Sequence, residues 1–413
     1  MTLTVKKRKI NLLYVLGTFP VLSETFIKRE MLELFRDKRL NIRVVYFRRG
    51  DKKISIEPVF GSKLWYFKPN RAQLIKVNAV EFLRNPLKYL DLIRLVLFGR
   101  HLPFNKKSID FGALLVGAAL SHKIRNLEID HIHATWATWP ATIALVLSRL
   151  QDVPFSFTAH AHDIHKRQML LKEKISLARA VTTISKFNQE YLRGLVPLMY
   201  RSKISLVYLG VNFKDFRFSQ KRKANKVPLI LAVGRLVPFK GFSYLVDALD
   251  LVKRQGKDFR AVIIGGGPEF QKLRQRIGKK NLLGNVRLLG ALPFKGVKKY
   301  FEKADIFVAP SIIEPLGGFD GIPVVLFEAM GAKVPIISTR ISGIPEAVAD
   351  GETGLLVKER DAEALAEAIR TLIDDRKLRE RFGEAGFRRA RKMFDLRKNV
   401  EQFKKAIVGD MIS

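Results

Sequence analysis

Leu229-Ile230-Leu231-Ala232-Val233-Gly234-Arg235-Leu236-Val237-Pro238-Phe239-Lys240-Gly241, with the helical stretch Tyr244 to Arg254 behind it, shows the plan of the chain in one unit. Five apolar residues read as a buried strand, the glycine-bounded segment as a loop, and the rest as a helix. The pattern continues downstream. Strand Arg260 to Ile264 meets Gly265-Gly266-Gly267-Pro268 and helix Phe270 to Ile277. Strand Val286 to Leu289, helix Val297 to Lys303 and strands Ile306 to Ala309, Val334 to Ser338 and Leu355 to Val357 follow, closed by an Ala-rich helix, Ala362 to Ile373.

Strands alternating with helices imply a parallel sheet. The first half repeats the pattern. Strand Leu12 to Leu16 enters a Gly17-Thr18-Phe19-Pro20 turn, and Ser23 or Thr25 caps the next helix. Strand Ile42 to Phe47, a strand ending in His131-Ile132-His133-Ala134, and strands Pro154 to Ala159 and Val181 to Ile184 follow, with helix Ala141 to Leu150 among them. We expect an α/β chain of two doubly wound domains facing a cleft, residues 1–207 and 208–390, with a seam rich in polar and basic residues. A last helix, 391–413, is expected to pack back over the seam.

Asp320-Gly321-Ile322-Pro323-Val324-Val325-Leu326-Phe327-Glu328-Ala329-Met330 reads as a loop turning into a helix, with Pro323 at the first helical position. First-turn amides lack intrahelical partners and, with the helix dipole, suit a phosphate. Eight helical residues separate Asp320 from Glu328 by about 12 Å and roughly 80°. Both would then face one elongated ligand, a diphosphate between polyhydroxyl ends, which is the shape of a nucleotide-sugar. Arg235 and Lys240 share a loop whose Gly234 and Gly241 let the backbone approach a ligand. Two cations there suit two phosphates. Gly265 to Gly267 lacks the G-x-G-x-x-G spacing and reads first as a tight turn, second as a phosphate neighbour.

The 413 residues contain no cysteine, which excludes disulfides, thiolate metal ligands and a thiol nucleophile. The net charge of +36 implies a polyanionic neighbour. The excess is spread along the chain, with 36 basic and 15 acidic residues in 1–210 and 39 and 24 in the rest. No nucleic-acid-binding module stands out. After Lys6, Lys7, Arg8 and Lys9, the run Ile10 to Leu16 is too short to span a membrane and lacks a cleavage site, so it reads as a strand rather than a signal peptide. Apolar residues recur near helical spacing through residues 71–100, broken at Pro86 and punctuated by Arg71, Lys76, Arg84, Lys88, Arg94 and Arg100. This segment is either a core-facing helix pair with a solvated basic face or a basic amphipathic segment resting on anionic lipid.

His160 and His162 follow a strand and suit substrate contact, a structural role or, with Asp163 or His165, a metal. His131 and His133 read as structural. Glu314 competes with Asp320 through the Gly317-Gly318 loop, and Glu346 orders the turn after Gly343-Ile344-Pro345.

Val233 to Gly241, the Gly265–Pro268 turn, Asp320 to Met330 and Pro335 to Thr339 resemble glycosyltransferase family 4, retaining enzymes of the GT-B fold. Phe19 to Ile27 and Phe157 to Ile164 are similar to the bacterial exopolysaccharide branch, of the colanic acid type. The resemblance implies that Arg235 and Lys240 hold the donor diphosphate, Glu328 the ribose, and Asp320 the donor sugar. It places His160 beside the sugar and the acceptor, and Gly17 and Thr18 at the phosphates from the opposite domain. It gives the amides of Ile322, Val324 and Val325 to phosphate oxygens, and Leu289 and Gly290 to the base pocket. The family pattern has a glutamate where Asp320 stands, one methylene longer. The implied reaction is a front-face transfer of a hexose from a nucleoside-diphosphate sugar to a lipid-linked oligosaccharide, with no metal or other cofactor. The implied place is the cytoplasm, peripheral at the inner face of an anionic membrane, without nucleic acid. A nucleotide-sugar epimerase and a basic nucleic-acid-binding protein are the alternatives.

Overall fold

The computed structural model describes residues 8–51, 54, 56–99, 104–166, 168–216, 225–315 and 317–412. Lys6, Lys7, Arg100, Leu316 and residues 217–224 of the polar seam lie outside them. The chain divides into two compact units. The first comprises Met1–Ile184, Asn188–Val207 and Val400–Ser413; the second comprises Ser185–Phe187 and Tyr208–Asn399. The C-terminal segment is therefore shared out, with Val400 onward in the first unit.

The first unit holds seven strands: β1 (Ile10–Phe19), β2 (Leu40–Arg49), β3 (Leu64–Tyr66), β4 (His131–Ala134), β5 (Phe155–Ala159), β6 (Ala180–Thr183) and β7 (Ile204–Leu206). All pair in parallel in the order β3-β2-β1-β4-β5-β6-β7. The second holds β8 (Leu229–Val233), β9 (Arg260–Ile264), β10 (Val286–Leu288), β11 (Ile306–Ala309), β12 (Ile336–Thr339) and β13 (Gly354–Val357). These too are parallel, in the order β10-β9-β8-β11-β12-β13. Central strands are buried on both faces, as parallel sheets covered by helices require. β4, β5, β6, β11 and β12 have every residue buried.

Several local expectations are corrected. Gly17 and Thr18 belong to β1, where Thr18 pairs with Arg48, because the strand runs on to Phe19. The helix after it starts at Thr25 with Glu24 at the cap position and no side-chain cap, so neither Ser23 nor Thr25 plays that part. Pro86 does open a helix, Pro86–Phe98, directly after helix Arg71–Arg84.

That first helix overturns the core-facing reading of residues 71–84. Its buried residues are Asn78 and Glu81. Asn78 Nδ2 donates to the Leu115 carbonyl at 3.1 Å, and Arg125 Nη2 lies 2.6 Å from both Glu81 oxygens. Polar groups can be buried when paired in this way, and here they take the fully buried positions, leaving Leu74 and Val77 half-buried and Ile75, Val80, Phe82 and Leu83 exposed. The second helix does face the core, through Tyr89, Leu92 and Val96.

Candidate functional site

In the second unit the strand order reverses between β8 and β11, which are neighbours although β9 and β10 intervene in the chain. Open parallel sheets bind ligands beyond the carboxyl ends of strands at such a switch. The Gly234–Gly241 loop leaves β8 and the loop carrying Asp320 leaves β11, so both motif loops arise there. They are fastened together. The Ile312 amide donates to the Phe239 carbonyl at 2.8 Å. Gly241 has φ +67°, and a Cβ there would lie 1.8 Å from the Pro310 carbonyl oxygen, so no other residue fits without moving one loop.

This fastening sets the charges. Lys240 Nζ lies 2.8 Å from Asp320 Oδ1, and Ser311 Oγ donates to Asp320 Oδ2 at 2.8 Å. Each side chain of the ion pair is 15% exposed. Thr339 Oγ1 donates to the Ser311 carbonyl. The Arg235 guanidinium and Lys240 Nζ stand 5.8 and 5.9 Å from the Phe239 ring. Asp320 is thus the carboxylate joined to Lys240. Glu314 closes a tight backbone turn, its amide bonded to the Gly318 carbonyl and its carbonyl to the Gly317 amide, each at 2.9 Å.

The helix here is Val324–Gly331, one residue shorter at its start than expected. Pro323 has ψ 123°, which is extended, so it caps the helix instead of opening it. Val324 and Val325 then supply first-turn amides with no earlier carbonyl in the helix to bind. Asp320 lies outside the helix, so helical spacing does not relate it to Glu328. Glu328 is the fifth helical residue and is buried. Gly321, Ile322 and Pro323 between them are buried too.

Gly265 and Gly267 serve the neighbouring loop. A Cβ on Gly265 would meet the Gly234 carbonyl at 1.8 Å, and one on Gly267 the Leu236 carbonyl at 2.5 Å. The Leu236 amide donates to the Gly266 carbonyl at 2.8 Å. Beyond β10, the Gly290 carbonyl accepts from the Gly265 amide at 2.9 Å and the Leu289 amide donates to the Ile263 carbonyl at 3.0 Å. Leu289, Gly290 and Gly266 therefore meet at the same sheet end. Glu346 does not merely order its own turn. It accepts the amides of Lys186 and Phe187 at 2.8 and 3.0 Å and the Tyr208 hydroxyl at 2.8 Å.

In the first unit the order reverses between β1 and β4. His160 follows β5 and is buried between Phe26 and Trp136, with ring centroids at 5.1 and 4.3 Å. Its Nε2 lies 3.0 Å from the Thr135 carbonyl, so Nε2 carries the proton and Nδ1 keeps a lone pair. Burial pushes its pKa down to about 4, so the ring is neutral at pH 7.

Three residues that sequence reasoning gave no orienting role hold this histidine. Asp163 accepts the His160 amide at 3.0 Å and the Ala137 amide at 2.9 Å. Lys174, fully buried, donates to the Ala137 and Thr138 carbonyls, each at 2.9 Å. Asn188 donates to the His160 carbonyl. Burial raises the Asp163 pKa to about 6 and lowers that of Lys174 to about 8. Asp163 spends both oxygens on amides, which suits it to hold a loop. His131 and His133 are structural, as read. Both meet Ser156 Oγ, at 2.7 and 2.9 Å, inside the sheet.

Comparison with known proteins agrees with this architecture. The family described as Glycosyl transferases group 1 matches residues 213–389, and the one described as Glycosyltransferase Family 4 matches residues 70–215. The amylovoran biosynthesis glycosyltransferase AmsK of Erwinia amylovora is 33% identical over 214 residues, 50% of this chain and 52% of that protein. The putative colanic acid biosynthesis glycosyltransferase WcaL of Escherichia coli is 40% identical over 171 residues, 41% of this chain and 42% of that protein. The chain spans about half the length of these relatives, or less. Among solved structures, Anabaena Alr3699/HepE in complex with UDP-glucose has a TM-score of 0.72 at 18% identity, covering 97% of this chain and 100% of that one. At that identity the likeness speaks for the fold, and it bears out the GT-B expectation.

Proposed function

The chain belongs to the group 1 glycosyltransferases of family 4, and from that premise we propose that it transfers a hexose from a nucleoside-diphosphate sugar to a lipid-linked oligosaccharide. The transfer keeps the anomeric configuration and serves exopolysaccharide biosynthesis. The observation that carries the reading is the Lys240–Asp320 pair, 2.8 Å apart, in two fastened loops beside a helix start at the sheet's switch point. Support also comes from the names of AmsK and WcaL, both of polysaccharide biosynthesis, and from HepE, which was solved with UDP-glucose.

Each residue has a physical task in this reading. When the bond from the anomeric carbon to the diphosphate breaks, negative charge gathers on the leaving group. Lys240, Arg235 and the amides of Ile322, Val324 and Val325 neutralise it from prearranged positions. No metal or organic cofactor is called for, because these groups supply the charge. Asp320, held at both oxygens, presents a fixed acceptor to the sugar, and Glu328 to the ribose. Leu289 and Gly290 line the base. His160 is neutral and offers Nδ1 as an acceptor for a hydroxyl. Gly17 and Thr18, in the last part of β1, are the first unit's candidates for phosphate contact. In this reading the acceptor's bilayer is met peripherally, at its cytoplasmic face; among the described residues no helix is long and apolar enough to cross a membrane.

The test is a panel of nucleoside-diphosphate sugars offered with a lipid-diphosphate-linked oligosaccharide, followed by proton NMR at the anomeric carbon. One donor should yield a product of unchanged configuration. An inverted product, no transfer from any donor, or epimerisation of the donor alone would overturn the reading.

A further inference from the structure

Among the described residues, the helix pair Arg71–Arg84 and Pro86–Phe98 leaves a set of large apolar side chains exposed. Ile75 is 73% exposed, Leu83 77%, Leu87 82% and Phe98 76%. The inward positions of the first helix went to Asn78 and Glu81, so its apolar surface is not a misassigned core face. Large apolar side chains gathered in so short a stretch mark an interaction surface. The charges around them are mostly basic. Arg71, Lys76, Arg84 and Arg94 are exposed, against Asp91, the one exposed acid of the helix pair, and Asp152, which is paired with Lys88 at 2.6 Å. Glu81 does not offset them, because Arg125 and His122 already meet it.

We infer that this surface lies in the interfacial layer of an anionic bilayer, with the leucines and Phe98 at the acyl boundary and the arginines and Lys76 at lipid phosphates. The helices have 14 and 13 residues, which suits lying flat and not crossing. A second copy of the chain is the poorer occupant. A two-fold contact would set Arg71, Lys76, Arg84 and Arg94 against their own copies, in a chain of net charge +36. The inference deepens the proposed function by saying where the chain meets its acceptor's membrane, and it rests on that reading only there.

The test is vesicle flotation of the full chain. Wild type should float with phosphatidylcholine vesicles containing about 30% phosphatidylglycerol, and about tenfold less with phosphatidylcholine alone. The double variant Leu83→Glu/Leu87→Glu should lose about tenfold or more on anionic vesicles. Leu283→Glu, at an exposed leucine of the second unit, should float like wild type. Equal flotation on neutral vesicles, no flotation, or a double variant that floats normally would overturn the inference. So would a wild-type dimer that the double variant turns into a monomer without any lipid binding. Transfer to a detergent-soluble acceptor, measured without vesicles on the same preparations, separates the two readings. The double variant should keep it, and its absence in wild type would count against the function alone.

Discussion

Lys240 and His160 both stand beyond the carboxyl ends of parallel strands, one in each unit, but they are held by different means. Lys240 is tethered through a charge on a partly exposed carboxylate, and that carboxylate is tethered by one hydroxyl. On the proposed function an arriving diphosphate competes for such a pair, because it offers Lys240 a second anion in place of the Asp320 oxygen. His160 is neutral, buried and braced by Asp163, Asn188 and the loop that Lys174 pins. Nothing in that bracing can be exchanged cheaply, since each group removed leaves a buried partner unsatisfied. One site is arranged to trade partners and the other to keep them. Substitution of Lys240 should therefore lower turnover and spare stability, whereas substitutions around His160 should lower both.

The largest effect is expected for Lys240→Ala. Turnover should fall about a thousandfold, the loss typical of a preorganised electrostatic contact, with the thermal midpoint nearly unchanged. A large fall in the midpoint would break the contrast. Next, Lys174→Met should destabilise the chain by about 2 kcal/mol in a denaturant titration, because the Ala137 and Thr138 carbonyls lose their donor. An unchanged midpoint would show that the lysine is not a brace.

The pH dependence sharpens the same point. The His160 pKa is depressed to about 4 in the folded chain, so the unfolded chain binds more protons between there and the ordinary histidine range. Its contribution is complete above about pH 6.5 and is lost as pH falls towards 4. Measured against His160→Gln, wild type should give up about 1 kcal/mol between pH 8 and 6. A difference that does not move with pH would mean the ring is not neutral and buried. The smallest effect is expected for Gly266→Ala, whose Cβ would sit 3.3 Å from the Ala291 Cβ. Stability and donor affinity should change by less than about 1 kcal/mol. A large loss of affinity alone would favour the phosphate reading of the glycine turn over the tight-turn reading.

How much could be read from residues follows from how local the cause is. The bounds of β8, β9 and β11 are those expected, because an apolar run closed by glycine or a polar turn needs no distant partner. The break at Pro86 is equally local. β3 and β7 were missed because three-residue edge strands are defined by their neighbours and not by a pattern of their own. The sequence leaves two readings open at 71–84 and cannot choose the outward-facing one, because Asn78 and Glu81 are satisfied by groups about forty residues away, at Leu115 and Arg125. The site divides in the same way. Arg235, Lys240 and Asp320 announce themselves, since their own charge is what the chemistry needs. Lys174 sits in an unremarkable Leu171–Leu177 helix and acts on carbonyls 37 and 36 residues back in the chain. A lone buried lysine has no sequence signature; only its contacts reveal it.

The central claim is that Lys240 and its loop grip a diphosphate, and calorimetric titration tests it most directly. Wild type should bind a nucleoside diphosphate more than about tenfold tighter than the matching nucleoside, a gap of at least about 1.4 kcal/mol, and Lys240→Ala should close most of it. A Lys240→Ala chain that still prefers the diphosphate as strongly as wild type would contradict the account.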